Sequence, residues 1–331
     1  MRSDPAFSPA ALELDAARTV EGIRTAIRDG VARDLRRKGI VLGLSGGIDS
    51  SVVAALSVLA VGRERVLALL MPERESSEDS TQLGRMVAES LGIETVVEDI
   101  SGTLEALDCY RRRDDAIRTV IPEYRSDFKC KLVLPALEDQ AAYRISRIVA
   151  QAPDGRQFTA RLTPQAYQGV VAATNFKQRV RKMLEYYHAD RLNYAVAGTP
   201  NRLEYDQGFF VKNGDGCADL KPIAHLYKSQ VYQIAEFLGI PDEIRRRPPT
   251  TDTWSLAQSQ EEFYFSVPYD KMDLCLYGIN HGIAAPDVAR ASGLTPEQVE
   301  HVYRDIGAKR NATRYLHRPP LLVEAVGDLP A

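Results

Sequence analysis

The sequence lacks a long apolar segment, a secretory signal and a strong excess of charge of one sign. No apolar run approaches the roughly 20 residues that a membrane-spanning helix needs, and residues 1–20 contain no contiguous apolar core. The formal net charge is −3, so no global positive field marks the chain as a nucleic-acid or membrane-surface binder. We therefore expect a cytoplasmic protein that binds neither nucleic acid nor membranes.

The cysteine content excludes a disulfide framework and a cysteine-rich metal site. The four cysteines lie far apart in the chain and form neither a CxxC pair nor a Cys/His spacing typical of metal ligands: Cys109, Cys130, Cys217 and Cys275. Free thiols in a reducing compartment are the simpler interpretation. With 331 residues, of which 44% are apolar, the chain is long enough to bury a sizeable core.

Short apolar segments alternate with helical patterns along much of the chain. The spacing predicts helices over 18–38, 51–62, 76–92 and 175–191, and strands over 40–44, 65–73, 93–100 and 192–198. Strands that alternate with helices in this way indicate a parallel sheet covered by helices on both faces. We expect an α/β fold with a doubly wound parallel sheet.

The domain organisation follows from where this alternation holds. Residues 1–17 are polar and are predicted to form a mobile leader, and residues 18–331 are predicted to form a single domain. The interval 104–174 breaks the alternation and is interpreted as an insertion. Within it, residues 143–167 alternate apolar and polar side chains around Pro153-Asp154-Gly155, which predicts a β-hairpin.

A glycine-rich turn, "SGGIDSS" (45–51), separates the first predicted strand from the helix that follows. Such a turn exposes backbone N–H groups at the positive end of a helix and is typical of an anion site. Gly46 and Gly47 allow close approach of a phosphate, and Ser45, Ser50 and Ser51 add hydroxyl donors. The turn contains no lysine and matches neither GxxxxGK[ST] nor GxGxxG.

Asp49 is unusual among phosphate-binding groups because its carboxylate repels a phosphate. A divalent cation between the two removes the repulsion, so Asp49 predicts Mg²⁺ at this turn. The alternative is that serine, glycine and aspartate form an ordinary helix N-cap. Further along, Thr199 and Glu204 follow the predicted strand 192–198, which places them at the carboxyl edge of the sheet, where such folds bind ligands.

The motif "SGGIDSS" resembles the signature of the PP-loop ATP pyrophosphatases, which have an adenine nucleotide alpha hydrolase-like fold. This superfamily cleaves ATP between the α and β phosphates to adenylate a substrate. A second block, 175–241, contains "GFFVKNGDGCAD" and "YKSQ" and resembles the ammonia-dependent NAD synthetase family, as do "MPERESSEDS" (71–80) and "RPPTTDTW" (247–254). The resemblance covers about two thirds of the chain.

The resemblance implies amidation of nicotinic acid adenine dinucleotide to NAD through an acyl-adenylate, with ATP and Mg²⁺ as cofactors. It implies a homodimer, and ammonia that is free or delivered by a separate glutaminase. Asp49 and Glu204 would hold the metal, and Asp49, Glu204 and Lys228 would be catalytic. The implied ATP-binding residues are Ser45, Gly46, Gly47, Asp49, Ser50, Ser51, Met71, Thr199, Lys228 and Thr250.

The residues implied for the acid substrate are Asn175, Arg179, Lys212, Asp215 and Asp219. Arg179 and Arg181 lie two apart on a predicted helix and cannot point the same way, and we assign the role to Arg179. The sequence departs from the family pattern at Pro200, at Cys217 and in 258–270. These departures leave open a different carboxylic acid; a tRNA-modifying enzyme and a non-catalytic binding protein remain further alternatives.

Overall fold

The computed structural model describes residues 7–133, 146–249, 254–256, 264–265, 267–324 and 326–327. Its central element is a four-stranded parallel sheet. The strands are β1 (Ile40–Gly43), β2 (Val66–Leu70), β3 (Glu94–Val97) and β7 (Ala195–Val196). They lie in the order β3-β2-β1-β7, and a further parallel bridge joins Ala197 to Leu220. The predicted parallel sheet is confirmed, although the fourth strand is much shorter than the predicted 192–198.

Helices cover both faces of this sheet. One face is covered by α1 (Ala16–Asp29), α2 (Ile48–Val61), α3 (Glu78–Leu91) and α8 (Lys228–Phe237). The other face is covered by α4 (Ser101–Ala106), α5 (Cys109–Arg118) and α6 (Pro164–Leu192). The doubly wound α/β arrangement predicted from the sequence is therefore confirmed.

The strands are apolar throughout because both of their faces are buried. Successive side chains of a strand point to opposite faces. Leu42 and Ala68 accordingly pack against the α1–α2 side, whereas Val41 and Leu67 pack against the α5–α6 side. All four side chains are at most 2% exposed, which explains why β1 and β2 read as continuous apolar runs rather than alternating ones.

The remaining helices follow β7. They are α7 (Arg202–Gln207), α9 (Asp242–Arg245), α10 (Tyr269–Asn280), α11 (Ala285–Ser292) and α12 (Pro296–Thr313). Helices α10 to α12 form a separate apolar cluster that includes Leu203 of α7 and Tyr227, the residue before α8. Short 3₁₀ turns lie at Pro9–Leu12, Arg63–Arg65 and Arg314–His317. None of the helices in the described ranges is both long enough and apolar enough to cross a membrane.

The interval 104–174 contains a second, antiparallel sheet of three strands. These are β4 (Lys129–Val133), β5 (Arg147–Gln151) and β6 (Gln157–Arg161), in that order. The predicted hairpin is confirmed: β5 and β6 are joined by a turn in which Gly155 has φ of +87°. This sheet packs its own apolar cluster, with Tyr124, Phe128, Ile148 and Trp254.

The boundary predicted for the helix after the hairpin is wrong. The sequence pattern predicts a helix that begins at residue 175, whereas α6 begins at Pro164 and runs for 29 residues. Thr163 caps it by accepting a hydrogen bond from the Ala166 N–H, and Pro164 occupies the first turn, where its missing N–H costs nothing. The helix thus starts within the predicted insertion and ends beside β7.

The amino-terminal prediction also needs correction. Residues 7–15 pack on the domain: Leu12 is buried, its carbonyl accepts from Gln233 Nε2, and Phe7 stacks on Tyr277. Of the predicted mobile leader, residues 1–6 lie outside the described residues. The first helix is shorter than 18–38: α1 continues into a π-helical turn, Gly30–Asp34, and stops before Arg36, whose φ is +52°. The four cysteines are free thiols, as predicted.

Candidate functional site

A cavity of about 690 Å³ opens at the carboxyl ends of β1, β2 and β7. Ligands of open α/β sheets bind at this edge. The predicted site residues that line it are Ser45, Gly46, Gly47, Asp49, Ser50, Met71, Asn175, Arg179, Thr199, Glu204, Lys212, Asp215 and Lys228. Ser51 and Asp219 do not line the cavity, and Thr250 lies outside the described residues.

The glycine turn has the conformation expected of an anion site. Gly47 caps α2 in an extended conformation, so the first N–H groups of the helix face the cavity mouth. The Ser45 and Ser50 hydroxyl groups lie 3.2 Å apart within the turn. The Ser50 and Ser51 hydroxyl groups both donate to the Gly47 carbonyl, at 3.1 and 2.8 Å, but Ser51 is fully buried and does not line the cavity. Its placement supports the turn and does not make it a phosphate ligand.

Gly46 occupies a position that no other residue type fits. Its φ is +75°, and a β-carbon there would lie 2.6 Å from Leu83 Cβ and 2.9 Å from the Ser80 carbonyl oxygen. The backbone of the turn therefore packs directly on α3. Both the conformation and the close contact require glycine.

We expect Gly46→Ala to raise the KM for ATP at least about tenfold, because the left-handed backbone costs roughly 1–2 kcal/mol with a β-carbon and the clash adds to it. Steady-state kinetics with varied ATP measures this effect. Gly102→Ala is the matched control, since Gly102 has negative φ and open space around it. A G46A enzyme with wild-type KM for ATP would contradict the assignment of the turn.

Three predicted residues from distant parts of the chain meet beside the turn. Lys228 Nζ donates to Asp49 Oδ2 at 2.5 Å. Asn201 connects Asp49 to the third member: its Nδ2 donates to Asp49 Oδ1 at 3.2 Å, and its backbone N–H donates to Glu204 Oε2 at 3.1 Å. Asp49, Lys228 and Glu204 thus lie together at one corner of the cavity, as expected from the sequence.

The charges in this corner favour a bound cation. Burial and the nearby Asp49 carboxylate raise the pKa of Glu204 to about 8, although Lys228 opposes the shift. A carboxylate that lies close to a second carboxylate in a buried corner offers oxygen ligands suited to a hard divalent ion. No cluster of three or more Asp, Glu, His or Cys side chains is found in the described part of the chain. Asp49 and Glu204 fit Mg²⁺ if phosphate oxygens and water complete its shell.

Two residues that support this corner were not found from the sequence. Asn201 is fully buried and caps α7, with Glu204 completing the reciprocal capping box. The pattern Asn-x-x-Glu at a helix start is a readable signal for this arrangement. Asp273 of α10 is also fully buried and accepts from the Lys228 N–H at 3.1 Å and the Ser229 N–H at 2.6 Å. An aspartate within an apolar helical run is the signal that could have identified it.

The opposite wall of the cavity is formed by α6 and by the loop 208–218. Arg179 and Arg181 both line the cavity: Arg179 Nε donates to the Lys212 carbonyl and Arg181 Nε to the Met71 carbonyl. The two side chains point in different directions, as expected. Because both line the cavity, its geometry does not distinguish which of them binds the acid substrate. Lys212 Nζ donates to the Tyr315 carbonyl at 2.9 Å.

Asp215 and Asp219 hold the backbone in the same region. Asp215 accepts from the Val211 N–H at 2.7 Å, and burial raises the pKa of its carboxyl. Asp219 is exposed outside the cavity and accepts from the Val196 N–H at 2.8 Å, which joins the loop to β7. Of the positions that depart from the family pattern, Pro200 lines the cavity, Cys217 lies beside Tyr186, and 258–263 and 266 lie outside the described residues.

A stripe of polar side chains on α6, two of them buried and two half-buried, was also missed. Gln178, Lys182 and Glu185 line the cavity together with Asn175, and Lys182 Nζ donates to Glu185 Oε2 at 2.6 Å. Burial raises the pKa of Glu185. The spacing of three to four residues, which places these polar side chains on one face of the helix, was the available signal.

Comparisons with known proteins agree with this architecture. The family model described as NAD synthase matches residues 19–123 and 139–314. The NH(3)-dependent NAD(+) synthetase of Mesorhizobium japonicum is 60% identical over 96% of this chain and 99% of its own length. Among solved structures, an NMN synthetase from Francisella tularensis has a TM-score of 0.65 at 22% identity, covering 94% of this chain and 99% of that one.

A second solved structure is the NH3-dependent NAD synthetase from Campylobacter jejuni, with a TM-score of 0.62 at 22% identity. It covers 94% of this chain and all of the other. At this identity the two structures show a shared fold only, whereas the family match extends through both sides of the cavity. Within the predicted insertion, only residues 124–138, which contain β4, fall outside the match. The chain belongs to the NAD synthase family.

Proposed function

We propose that this chain catalyses the ATP-dependent amidation of nicotinic acid adenine dinucleotide to NAD, with ammonia as the nitrogen donor and AMP and pyrophosphate as the other products. It is a ligase that forms a carbon–nitrogen bond. The relative that is 60% identical is named as an ammonia-dependent NAD synthetase, and similarity over almost the full length of both chains supports the same activity.

The observation that carries the proposal is the meeting of Asp49, Lys228 and Glu204 beside a glycine turn at the mouth of one cavity. In this arrangement a buried ammonium group and two carboxylates suited to a divalent cation lie next to a row of backbone N–H groups. Such a site binds a polyphosphate and balances the negative charge that develops as pyrophosphate departs.

The chemistry has two steps. A carboxylate oxygen of the acid attacks the α-phosphorus of ATP, and the bond from that phosphorus to the bridging oxygen breaks, so that pyrophosphate leaves with the electron pair. The ammonia nitrogen then attacks the acyl carbon, AMP leaves, and the nitrogen loses a proton. No side-chain nucleophile is needed, and positioning of the carboxylate against the α-phosphorus supplies much of the rate.

The residues of the chain divide between these tasks. Lys228 and the N–H groups of the turn bind the phosphates, and Asp273 fixes the Lys228 backbone at the start of α8. Asp49 and Glu204 would hold Mg²⁺, which supplies charge neutralisation on the phosphates when bound. Asn175, Arg179 and Lys212 present amide and cationic donors suited to the carboxylate and pyrophosphate of the dinucleotide.

We further propose that the enzyme works in the cytoplasm as a homodimer. Its ammonia is free or is delivered by a separate glutaminase. Exposure of Met183 and Tyr187, which are 58% and 59% exposed and lie four residues apart on one face of α6, supports association of two chains.

A pyrophosphate-release assay with ATP, Mg²⁺ and ammonia tests the proposed substrate. We expect release and NAD formation with nicotinic acid adenine dinucleotide, and at most weak release with nicotinic acid mononucleotide and other carboxylic acids. Glutamine in place of ammonia is expected to give no NAD with the isolated chain. Release with another acid and none with the dinucleotide would refute the substrate and retain the adenylation chemistry.

A further inference from the structure

A buried ion cluster lies behind the cavity wall and is not used by the chemistry above. It consists of Glu73, Glu75, Arg113, Asp114 and Lys177, each at most 9% exposed in its side chain. The two glutamates belong to the loop 71–76 that follows β2, Arg113 and Asp114 to α5, and Lys177 to α6. The cluster thus joins the sheet to the start of the predicted insertion.

Short hydrogen bonds join the basic side chains of the cluster to its carboxylates. Lys177 Nζ donates to Glu73 Oε1 at 2.7 Å and to Glu75 Oε2 at 2.8 Å. Arg113 Nη1 contacts both Glu75 oxygens, at 2.8 and 2.6 Å, and its Nε and Nη2 donate to Asp114 Oδ1. Tyr110 donates its hydroxyl to Glu73 Oε2 at 2.7 Å. Each glutamate of the loop is therefore held from α6 and from α5 at once.

The charges of the cluster compensate each other away from water. Burial raises the pKa of Glu75, but Lys177 and Arg113 outweigh this effect and bring it to about 2. Charged groups that are this deeply buried are tolerated only when every partner is in place. The loop conformation is consequently determined by side chains that lie 37 to 104 residues away in sequence.

The loop held in this way forms part of the cavity. Met71, Pro72 and Ser76 line it, and Ser80 and Thr81 continue the same wall into α3, on which the glycine turn packs. Within the loop, the Ser76 N–H donates to the Glu73 carbonyl, and the Glu73 N–H donates to the Ser76 hydroxyl oxygen. A shift of Glu73 or Glu75 therefore moves residues beside the phosphate-binding turn.

From these observations we infer that Arg113 and Lys177 are positioning residues for ATP: they hold the loop 71–76 in its nucleotide-binding conformation before ATP arrives. This gives the first part of the predicted insertion a role, because Arg113 lies on α5. The inference rests on the proposed function for the identity of the nucleotide. Holding a wall in place before binding removes the cost of ordering it on binding.

Arg113→Met tests the inference, with Arg112→Met, an exposed neighbour on the same helix, as the matched control and Arg113→Lys as the conservative variant. In R113M the KM for ATP and the dissociation constant for ATP alone are expected to rise about tenfold, while the KM for the acid changes less than about twofold. R113K is expected to recover part of the ATP affinity. R112M is expected to match the wild type.

Trypsin provides a second readout that does not depend on catalysis. Arg74 lies in the loop, is 42% exposed in its side chain, and stacks on the Tyr110 ring at 3.5 Å. If the cluster holds the loop, R113M is cut after Arg74 about tenfold faster than the wild type at a temperature where both are folded. If R113M does not fold, Glu75→Gln replaces it, with the same expected results.

Unchanged ATP binding and unchanged cleavage after Arg74 in folded R113M would overturn the inference. So would an equal loss of affinity for ATP and acid accompanied by a lower melting temperature, because that result assigns the cluster to general stability. A wild-type protein that binds ATP but does not amidate the dinucleotide refutes the proposed substrate only, since ATP binding and proteolysis still decide the role of Arg113.

Discussion

Lys228→Met is expected to lower kcat for pyrophosphate release about 10³-fold. The substitution removes the cation that lies 2.5 Å from Asp49 and leaves two carboxylates, Asp49 and Glu204, without a fixed positive charge beside the phosphates. Preorganised charge of this kind contributes about 10²–10³ in rate when a single donor is removed. Because Lys228 is fully buried, the loss cannot be replaced by a solvated side chain.

Single-turnover measurements of pyrophosphate and AMP formation check this expectation. Lys129→Met is the matched control, since Lys129 is exposed on β4 and its substitution should leave kcat unchanged. The melting temperature of K228M must be recorded, because breaking a buried ion pair also costs about 3–5 kcal/mol of stability. A folded K228M enzyme with a kcat within threefold of the wild type would remove Lys228 from the phosphate site.

Asp49→Asn is expected to lower kcat by about 10²–10³ and to shift the Mg²⁺ dependence at least tenfold towards higher concentration. The amide has the size of the carboxylate and retains one oxygen, which can accept from Lys228 or from Asn201. The substitution therefore removes the negative charge and one of the two hydrogen bonds with little change of shape. A Mg²⁺ titration of the initial rate at saturating ATP separates the two effects.

Asp127→Asn serves as the control for this variant, because Asp127 is an exposed loop residue. If D49N has full activity at wild-type Mg²⁺ concentrations, Asp49 does not hold the metal and the interpretation of the turn is wrong. If D49N is slow but its Mg²⁺ dependence is unchanged, Asp49 acts on Lys228 alone, and the metal assignment passes to Glu204.

The parts of the fold that depend on local pattern could be predicted from the sequence. Apolar runs bounded by polar turns predicted the strands, and a glycine turn between strand and helix predicted the anion site. Grouping of Asp49 with Glu204 followed from a topological rule, because residues after parallel strands share one edge of the sheet. The start of α6 was missed although Thr163-Pro164 is a recognisable helix start, because the alternation of the hairpin before it was extended too far.

The contacts that support the site could not be predicted in the same way. Glu73 and Lys177 are 104 residues apart, and Asp273 lies 45 residues after Lys228, whose N–H donates to it. Spacing along the chain carries no information about such pairs, since three-dimensional packing brings them together. In the sequence, Glu73 and Lys177 have the pattern of ordinary charged positions, and only their burial distinguishes them from solvated side chains.

Helix α6 spans the molecule from the antiparallel sheet to β7. With 29 residues at 1.5 Å each, it is about 44 Å long. It contains no proline after its first turn, so no proline kink divides it and it is expected to move as one rigid helix. Its first turns rest on α5, where Gly169 meets Ala116, and its middle carries Lys177 and the polar wall of the cavity. A tilt of α6 at its hairpin end consequently displaces the polar cavity wall on α6 and, through Lys177, the loop 71–76 at the same time.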